Sequence, residues 1–286
     1  MTDIKGKVAV VTGAGSGMGR ALALALAVEG ASVVVADIIK DNAEAVAKEI
    51  GKAGGTARAI MCDVCERASV NKLKDEANRA FGPVSLLFAN AGVSDLQRFT
   101  DMSDTELDWV IQVDLMGVSH CMKAFLPDMI VAKSGHVMAT ASTAGMMPAS
   151  IPFLSSYAMA KAGVLGLMLC LRVELATVGV GCTVLCPGQV ATQIQHSARN
   201  RPERFGGPGT QAMNLRPDDV ALFRKLHKEI KTRTPEEVAQ MVLTAVRKDR
   251  PMVLTDPAMR QIFQESYVDV VMSAFDDAEA FDKANI

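Results

Sequence analysis

The 286-residue chain is expected to fold as an α/β protein, one Rossmann-like, doubly wound parallel sheet with helices on both faces. Short β-rich apolar runs alternate with segments of helical periodicity. A glycine-rich turn lies between the first such run and the first helical segment. No Gly/Ser/Pro-rich linker, low-complexity tract or repeat divides the chain, so residues 1–286 are read as a single domain.

In order, "KVAVVTG" (7–13) is the first strand and residues 18–28 the first helix, then "ASVVVAD" (31–37) and a helix over 42–53. The strands "ARAIMCD", "VSLLFAN", "GHVMATAS" and "GCTVLCPG" follow, each ahead of a loop and a helical segment. Such alternation implies parallel strands joined by right-handed crossovers. Ser103-x-x-Glu106 reads as a capping box opening a helix to about residue 132, and Thr234-Pro-Glu-Glu237 as a second, with Pro235 at the first helical position. The helix over 155–176 is apolar around nearly its whole circumference, which calls for burial on more than one side, a subunit interface supplying the second partner. "RPMVLTDP" (250–257) offers a late strand, and residues 256–286 a C-terminal extension.

Thirty basic against 32 acidic residues leave a formal charge of -2, with no dense Lys/Arg run to track a phosphate backbone, so nucleic acid is not an expected partner. The N-terminal residues lack the pattern of a signal peptide, and no stretch reaches about 18 uninterrupted apolar residues. A cytoplasmic protein without a membrane partner is expected. The six cysteines sit mostly in apolar segments, as reduced core thiols do. Cys62 and Cys65 form a lone C-x-x-C with no second pair or spaced histidines, so no metal is expected.

The first strand runs into "TGAGSGMG" (12–19) and directly into a helix. Gly13, Gly17 and Gly19, with Ser16 and Met18 between them, let a phosphate approach the helix N-terminus, where unpaired N–H groups and the dipole favour an anion. Asp37 ends the second strand, where a carboxylate accepts both adenosine ribose hydroxyls and repels a 2′-phosphate. Ser16 and Ile38 occupy the places where a basic residue would reverse that preference, so the expected cofactor is NAD rather than NADP. Farther on, "SSYAMAKAG" (155–163) puts Tyr157 and Lys161 four apart on one helical face, so phenol and ammonium address the same small volume.

The G-x-x-x-G-x-G spacing together with "YAMAK" resembles the short-chain dehydrogenase/reductase family. The resemblance runs from about residue 7 to 192 through "CDV", "NAG" (90–92), "ASTAG" (141–145) and "CPGQVAT" (186–192). It implies that Asp63 and Val64 flank the adenine and that Asn90, Ala91 and Gly92 line the cofactor. By the same resemblance Ser142, Tyr157 and Lys161 are catalytic, and Pro187, Gly188, Val190 and Thr192 belong to the segment at the nicotinamide end. It also implies a homotetramer, with a homodimer as fallback. A phenol with pKa near 10 is a poor base at neutral pH. Lys161 and the cationic NAD ring are expected to lower it, and Ser142 to hydrogen-bond the substrate oxygen.

This chain departs from the family pattern in three places. "QVDLMG" carries Asp114 where relatives usually carry Asn; by resemblance that residue acts through its backbone carbonyl, holding a water in a proton relay to the lysine. "ANAG" replaces the frequent N-N-A-G. The interval from Ser142 to Tyr157 is longer by about two residues, so "GMMPASIPFLS" reshapes the substrate wall.

The reaction expected is reversible oxidation of a secondary alcohol to a ketone with NAD. The alternatives are an NADP-dependent carbonyl reductase and a non-catalytic dinucleotide-binding sensor, which need not keep Ser, Tyr and Lys together. Met146, Met147 and Met159 point to a bulky apolar guest. Residues 193–232 are long enough to cover a cleft as a lid, polar and Gly/Pro-rich enough to be mobile, and "RNRPERFG" within them resembles enzymes oxidising the benzylic alcohol of lignin-derived aryl ethers.

Overall fold

The computed structural model describes residues 2–94, 96–209, 216–226 and 231–284. Their strands form one sheet in the order β3-β2-β1-β4-β5-β6-β7. These are β1 (Val8–Thr12), β2 (Ser32–Asp37), β3 (Thr56–Met61), β4 (Leu86–Ala89), β5 (His136–Thr140), β6 (Gly181–Cys186) and β7 (Met252–Leu254), every neighbouring pair parallel. All seven expected strands are present. The Val-rich runs suit a sheet buried on both faces, and β1 is buried at every position.

Successive side chains point to opposite faces, so each strand feeds two cores. Val10, Val34, Leu87, Val137 and Val184 pack with residues of α3 (Arg67–Phe81), α5 (Gly117–Ala132) and α7 (Ser155–Ala176). Val11, Val35, Phe88, Met138 and Leu185 pack on the other side with α1 (Gly17–Val28), α2 (Lys40–Lys52) and α9 (Pro235–Arg247). Two layers of helices thus clamp the sheet. The strand order reverses between β1 and β4, which leaves a crevice beyond their carboxyl ends.

The expected helix over 103–132 is one helical stretch with a defect. α4 (Asp104–Ile111) opens on the Ser103–Glu106 capping box, a π turn spans Gln112–Met116, and α5 continues. Among the described residues this is the one stretch long and apolar enough to cross a membrane, but half of its most apolar window is buried in the body of the protein. The Thr234–Glu237 capping box opens α9 as read from sequence.

The remaining helices are α6 (Thr143–Met146), α8 (Pro217–Leu226), α10 (Met259–Phe263) and α11 (Asp269–Ala284). α7 buries Tyr157, Lys161, Val164 and Met168 within the chain, while Leu169 and Val173 on its far side stay exposed. Within residues 193–232, 194–200 and 203–205 form 3₁₀ turns, and the first of them buries Ser197 and Ala198. Residues 210–215 and 227–230 lie outside the described residues.

Candidate active site

At the crevice three strand ends are stitched together. Thr12 at the end of β1 accepts through Oγ1 from the backbone N–H groups of Asn90 (3.0 Å) and Ala91 (3.1 Å). Asn90 returns a bond from Nδ2 to the Thr12 carbonyl (3.2 Å) and accepts from Thr140 Oγ1 (3.1 Å) at the end of β5. The glycine turn depends on this closeness. A Cβ at Gly13 would sit 2.7 Å from Ala91 Cα, and one at Gly19 only 2.1 Å from the Gly13 carbonyl oxygen. Gly13 and Gly17 also take positive φ of 63° and 51°. Bare backbone therefore faces the crevice at the start of α1, which could hold a phosphate.

Asp37 organises the turn as well as lining the crevice. Its Oδ2 accepts from Gly15 N–H (2.8 Å) and its Oδ1 from Ile39 N–H (2.9 Å). The basic residues flanking this region in sequence, Arg20 and Lys40, are paired with Glu49 and Glu44. On the next loop Asp63 accepts from Cys65 N–H (3.0 Å). Burial pushes the Cys62 thiol up to about 11 and the Cys65 thiol up to about 12, so neither favours the thiolate needed for metal or redox chemistry. Among the described residues no group of three or more His, Cys, Asp or Glu side chains is placed to hold a metal ion.

The polar centre lies where α7, the π turn and the end of β5 meet. Lys161, 1% exposed, donates from Nζ to the Thr140 carbonyl (2.9 Å) and lies 3.5 Å from Asp114 Oδ2 and 5.5 Å from the centre of the Tyr157 ring. Asp114 is fully buried in the π turn, a helix defect often found at functional positions. Its Oδ1 accepts from Val93 N–H (2.7 Å). Ser142, directly after β5, accepts from Ala144 N–H (3.1 Å) as the N-cap of α6 and is hydrogen-bonded to the Tyr157 side chain.

Burial holds the Tyr157 phenol well above its ordinary range, and the Asp114 carboxylate raises it further, against the opposing effect of the Ser142 bond. That direction belongs to the chain without cofactor, whereas the sequence expectation of a lowered phenol draws on Lys161 together with the cationic NAD ring. The ammonium has a carboxylate beside it, so its attraction for a phenolate is largely offset.

Gly13, Ser16, Gly17, Met18, Asp37, Ile38, Asp63, Val64, Asn90, Ala91, Gly92, Tyr157, Lys161 and Thr192 line one cleft. Others among the expected site residues stand behind its wall. Gly19 packs on Gly13, Pro187 accepts from Thr143 through its carbonyl, Gly188 N–H donates to Thr255 Oγ1 (2.9 Å), and Val190 bridges to Arg233. The methionine expectation is also corrected. Met147 is fully buried, Met159 is 50% exposed, and Met146 lines a separate apolar cavity. The cleft wall near Tyr157 is instead built from Val93, Trp109, Val113 and Ile194.

Sequence reasoning missed Thr12, Thr140, Trp109 and Arg204. Thr12 lay inside the quoted glycine motif, but its bonds to the fourth strand have no local signal. Arg204 lay inside "RNRPERFG", and only the fold brings its guanidinium to Asp63 (2.6 Å) and Glu66 (3.6 Å).

Residues 7–203 match the short chain dehydrogenase family. Among curated proteins, the oxidoreductase UcpA of Salmonella typhimurium is 37% identical over 197 residues, 69% of this chain and 74% of that protein. A C alpha-dehydrogenase of Sphingobium sp. is 28% identical over 275 residues, 96% of this chain and 88% of its own. Among solved structures, a short-chain dehydrogenase/reductase of Burkholderia phymatum in complex with NAD superposes with a TM-score of 0.86 at 34% identity, covering 96% of this chain and 97% of that one. LigO of Sphingobium sp. in its apo form gives 0.79 at 29% identity, covering 100% and 95%. The chain belongs to the short-chain dehydrogenase/reductase family and is an oxidoreductase of that family.

Proposed function

We propose that this short-chain dehydrogenase/reductase interconverts a bulky, apolar or aromatic secondary alcohol and its ketone with NAD. The observation that carries the reading is the pair Tyr157 and Lys161 lining the cleft, with buried Ser142 against the Tyr157 side chain. NAD, when bound, supplies the acceptor for the hydride that leaves the alcohol carbon. The crevice fits it. The glycine turn offers backbone that a Cβ would block, Asp37 offers a carboxylate at the ribose position, and Arg20 and Lys40, the basic residues flanking this region in sequence, are each paired with a glutamate. The NAD complex of the Burkholderia phymatum relative supports the same cofactor.

In oxidation Tyr157, as phenolate, takes the alcohol O–H proton on Oη as the C=O bond forms and becomes the neutral phenol, while the hydroxyl of Ser142 hydrogen-bonds the same oxygen. In reduction Tyr157 returns that proton. Lys161 is anchored by the Thr140 carbonyl, and the Asp114 side chain lies beside its ammonium. The Trp109, Val93 and Val113 wall supports an aromatic guest, as does likeness over 96% of this chain to a protein named C alpha-dehydrogenase.

Our reading takes residues 1–286 as one dehydrogenase domain, with 193–232 covering the cleft and 256–286 as an extension. It assembles as a homotetramer, or a homodimer as fallback, through apolar surface such as Leu169 and Val173. A panel of secondary aryl alcohols followed by NADH absorbance tests the substrate class. Tyr157→Phe is expected to lower turnover by roughly a hundredfold or more with NAD binding retained. Near-normal turnover in that variant would overturn the reading, as would activity confined to short aliphatic alcohols for its substrate class.

A further inference from the structure

The least expected group near the reacting atoms is the Asp114 carboxylate. It is fully buried, and a buried carboxylate persists in ionised form only with strong partners. It has them on two sides. Val93 N–H meets Oδ1 at 2.7 Å, and Lys161 Nζ lies 3.5 Å from Oδ2. The π turn over Gln112–Met116 carries this side chain between the loop after β4 and the face of α7, and Lys161 in turn is held by the Thr140 carbonyl. Four elements therefore converge on one buried ion pair.

We propose that Asp114 is a positioning residue that acts through Lys161: its carboxylate fixes the ammonium and offsets its charge beside Tyr157, and so sets the pH at which Tyr157 exchanges its proton with substrate. The inference rests on Tyr157 being the acid/base of the proposed function. The groups facing the phenol are Lys161 from its own helix, Asp114 from the π turn, Ser142 after β5 and Cys186 at the end of β6. Arg199, from the segment after β6, also lines the cleft. Of these, Lys161 favours phenolate and Asp114 opposes it, so the pair leaves Tyr157 in its protonated, proton-donating form at neutral pH. The enzyme then reduces ketones readily near neutrality, and alcohol oxidation rises toward alkaline pH.

The chain has two tyrosines, which makes the ionisation of Tyr157 directly visible. In a Tyr267→Phe background, phenolate absorbance reports Tyr157 alone. There the Tyr157 phenol is expected to ionise at alkaline pH, and Asp114→Asn to bring its ionisation down by about one pH unit or more. With NAD saturating, the acidic limb of kcat/KM for alcohol oxidation should move down by the same amount. Asn is isosteric and keeps an acceptor for Val93 N–H, so a merely structural role would move neither reading.

The double variant Asp114→Asn/Lys161→Met removes both charges, and its phenol should titrate within about half a unit of the Tyr267→Phe parent. It also carries the test if the single variant fails to fold. A phenol that titrates in Asp114→Asn where it does in the parent, or higher, would overturn the inference, as would a double variant displaced by a unit or more. If Tyr157→Phe is inactive while these titrations do not move, this inference alone fails. If Tyr157→Phe stays active, the proposed function fails with it.

Discussion

Arg204 donates a 2.6 Å hydrogen bond to Asp63 across 141 positions of sequence, joining the segment after β6 to the loop after β3. The same guanidinium lies 3.6 Å from Glu66 and stacks on Phe205, 4.7 Å from the ring centre. Nearby, Arg201 packs over Trp109 at 5.6 Å and pairs with Glu106. The segment over 193–209 is thus clasped both to the Asp63 loop and to the Trp109 wall of the cleft. Half-exposed ion pairs contribute little, so Arg204→Ala should weaken NAD binding by no more than about fivefold and mainly loosen the segment. Trp109, the one tryptophan of the chain, lines the cleft and serves as the fluorescent reporter. Limited proteolysis should cut within 193–209 faster in the variant; an unchanged rate would show that the bridge does not hold the segment.

Asp37 is expected to impose NAD preference. Setting a 2′-phosphate beside this carboxylate costs more than about 1.4 kcal/mol, hence at least roughly tenfold in kcat/KM. Because Asp37 also accepts from Gly15 and Ile39, Asp37→Ser with Ile38→Arg should shift preference toward NADP while lowering activity with both cofactors. Steady-state rates with one alcohol and each cofactor decide it, and an NADP preference in the natural chain would refute the assignment.

Gly19 lies inside α1 at an ordinary backbone angle, so an added methyl group acts through contact alone. The Gly13 carbonyl would be 2.1 Å away. Gly19→Ala should cost about 3 kcal/mol, the upper end for overpacked sites. Gly51, where an added Cβ meets nothing, is the control; Gly51→Ala in α2 should be neutral or stabilising by up to about 1 kcal/mol. Thermal unfolding of the two variants should separate them, and similar midpoints would contradict the packing argument.

His136 gives a stability dependence on pH. Burial, aided by Arg172 and opposed by Asp249, lowers its imidazole to about 4, and the ring is held between Thr2 Oγ1 (3.0 Å) and Thr183 Oγ1 (2.9 Å). The folded pKa lies below the unfolded value of 6.5, so the neutral ring contributes fully above 6.5 and loses that contribution as pH falls from 6.5 toward about 4. The full effect is on the order of 3 kcal/mol. Urea midpoints at several pH values should fall across this window in the natural chain and fall less in His136→Gln. Parallel curves would assign the acid sensitivity elsewhere.

The sequence by itself determined the layered sheet, because Val-rich runs separated by amphipathic segments can bury both strand faces only between helices, and each of the seven strands was legible that way. It also determined the glycine turn and the Tyr157–Lys161 pair, since both are written within a few residues and their geometry follows from helix and turn alone. What only the tertiary structure decided concerns charges and contacts far apart in the chain. Thr12 meets Asn90, Arg204 meets Asp63, and Asp114 turns its carboxylate onto Lys161. A hydrogen bond or ion pair depends on placement within an ångström, and that placement is set by how separate elements pack, so no local pattern encodes it. For the same reason "YAMAK" predicted where the phenol sits but not its proton affinity, which burial and a carboxylate from another helix control.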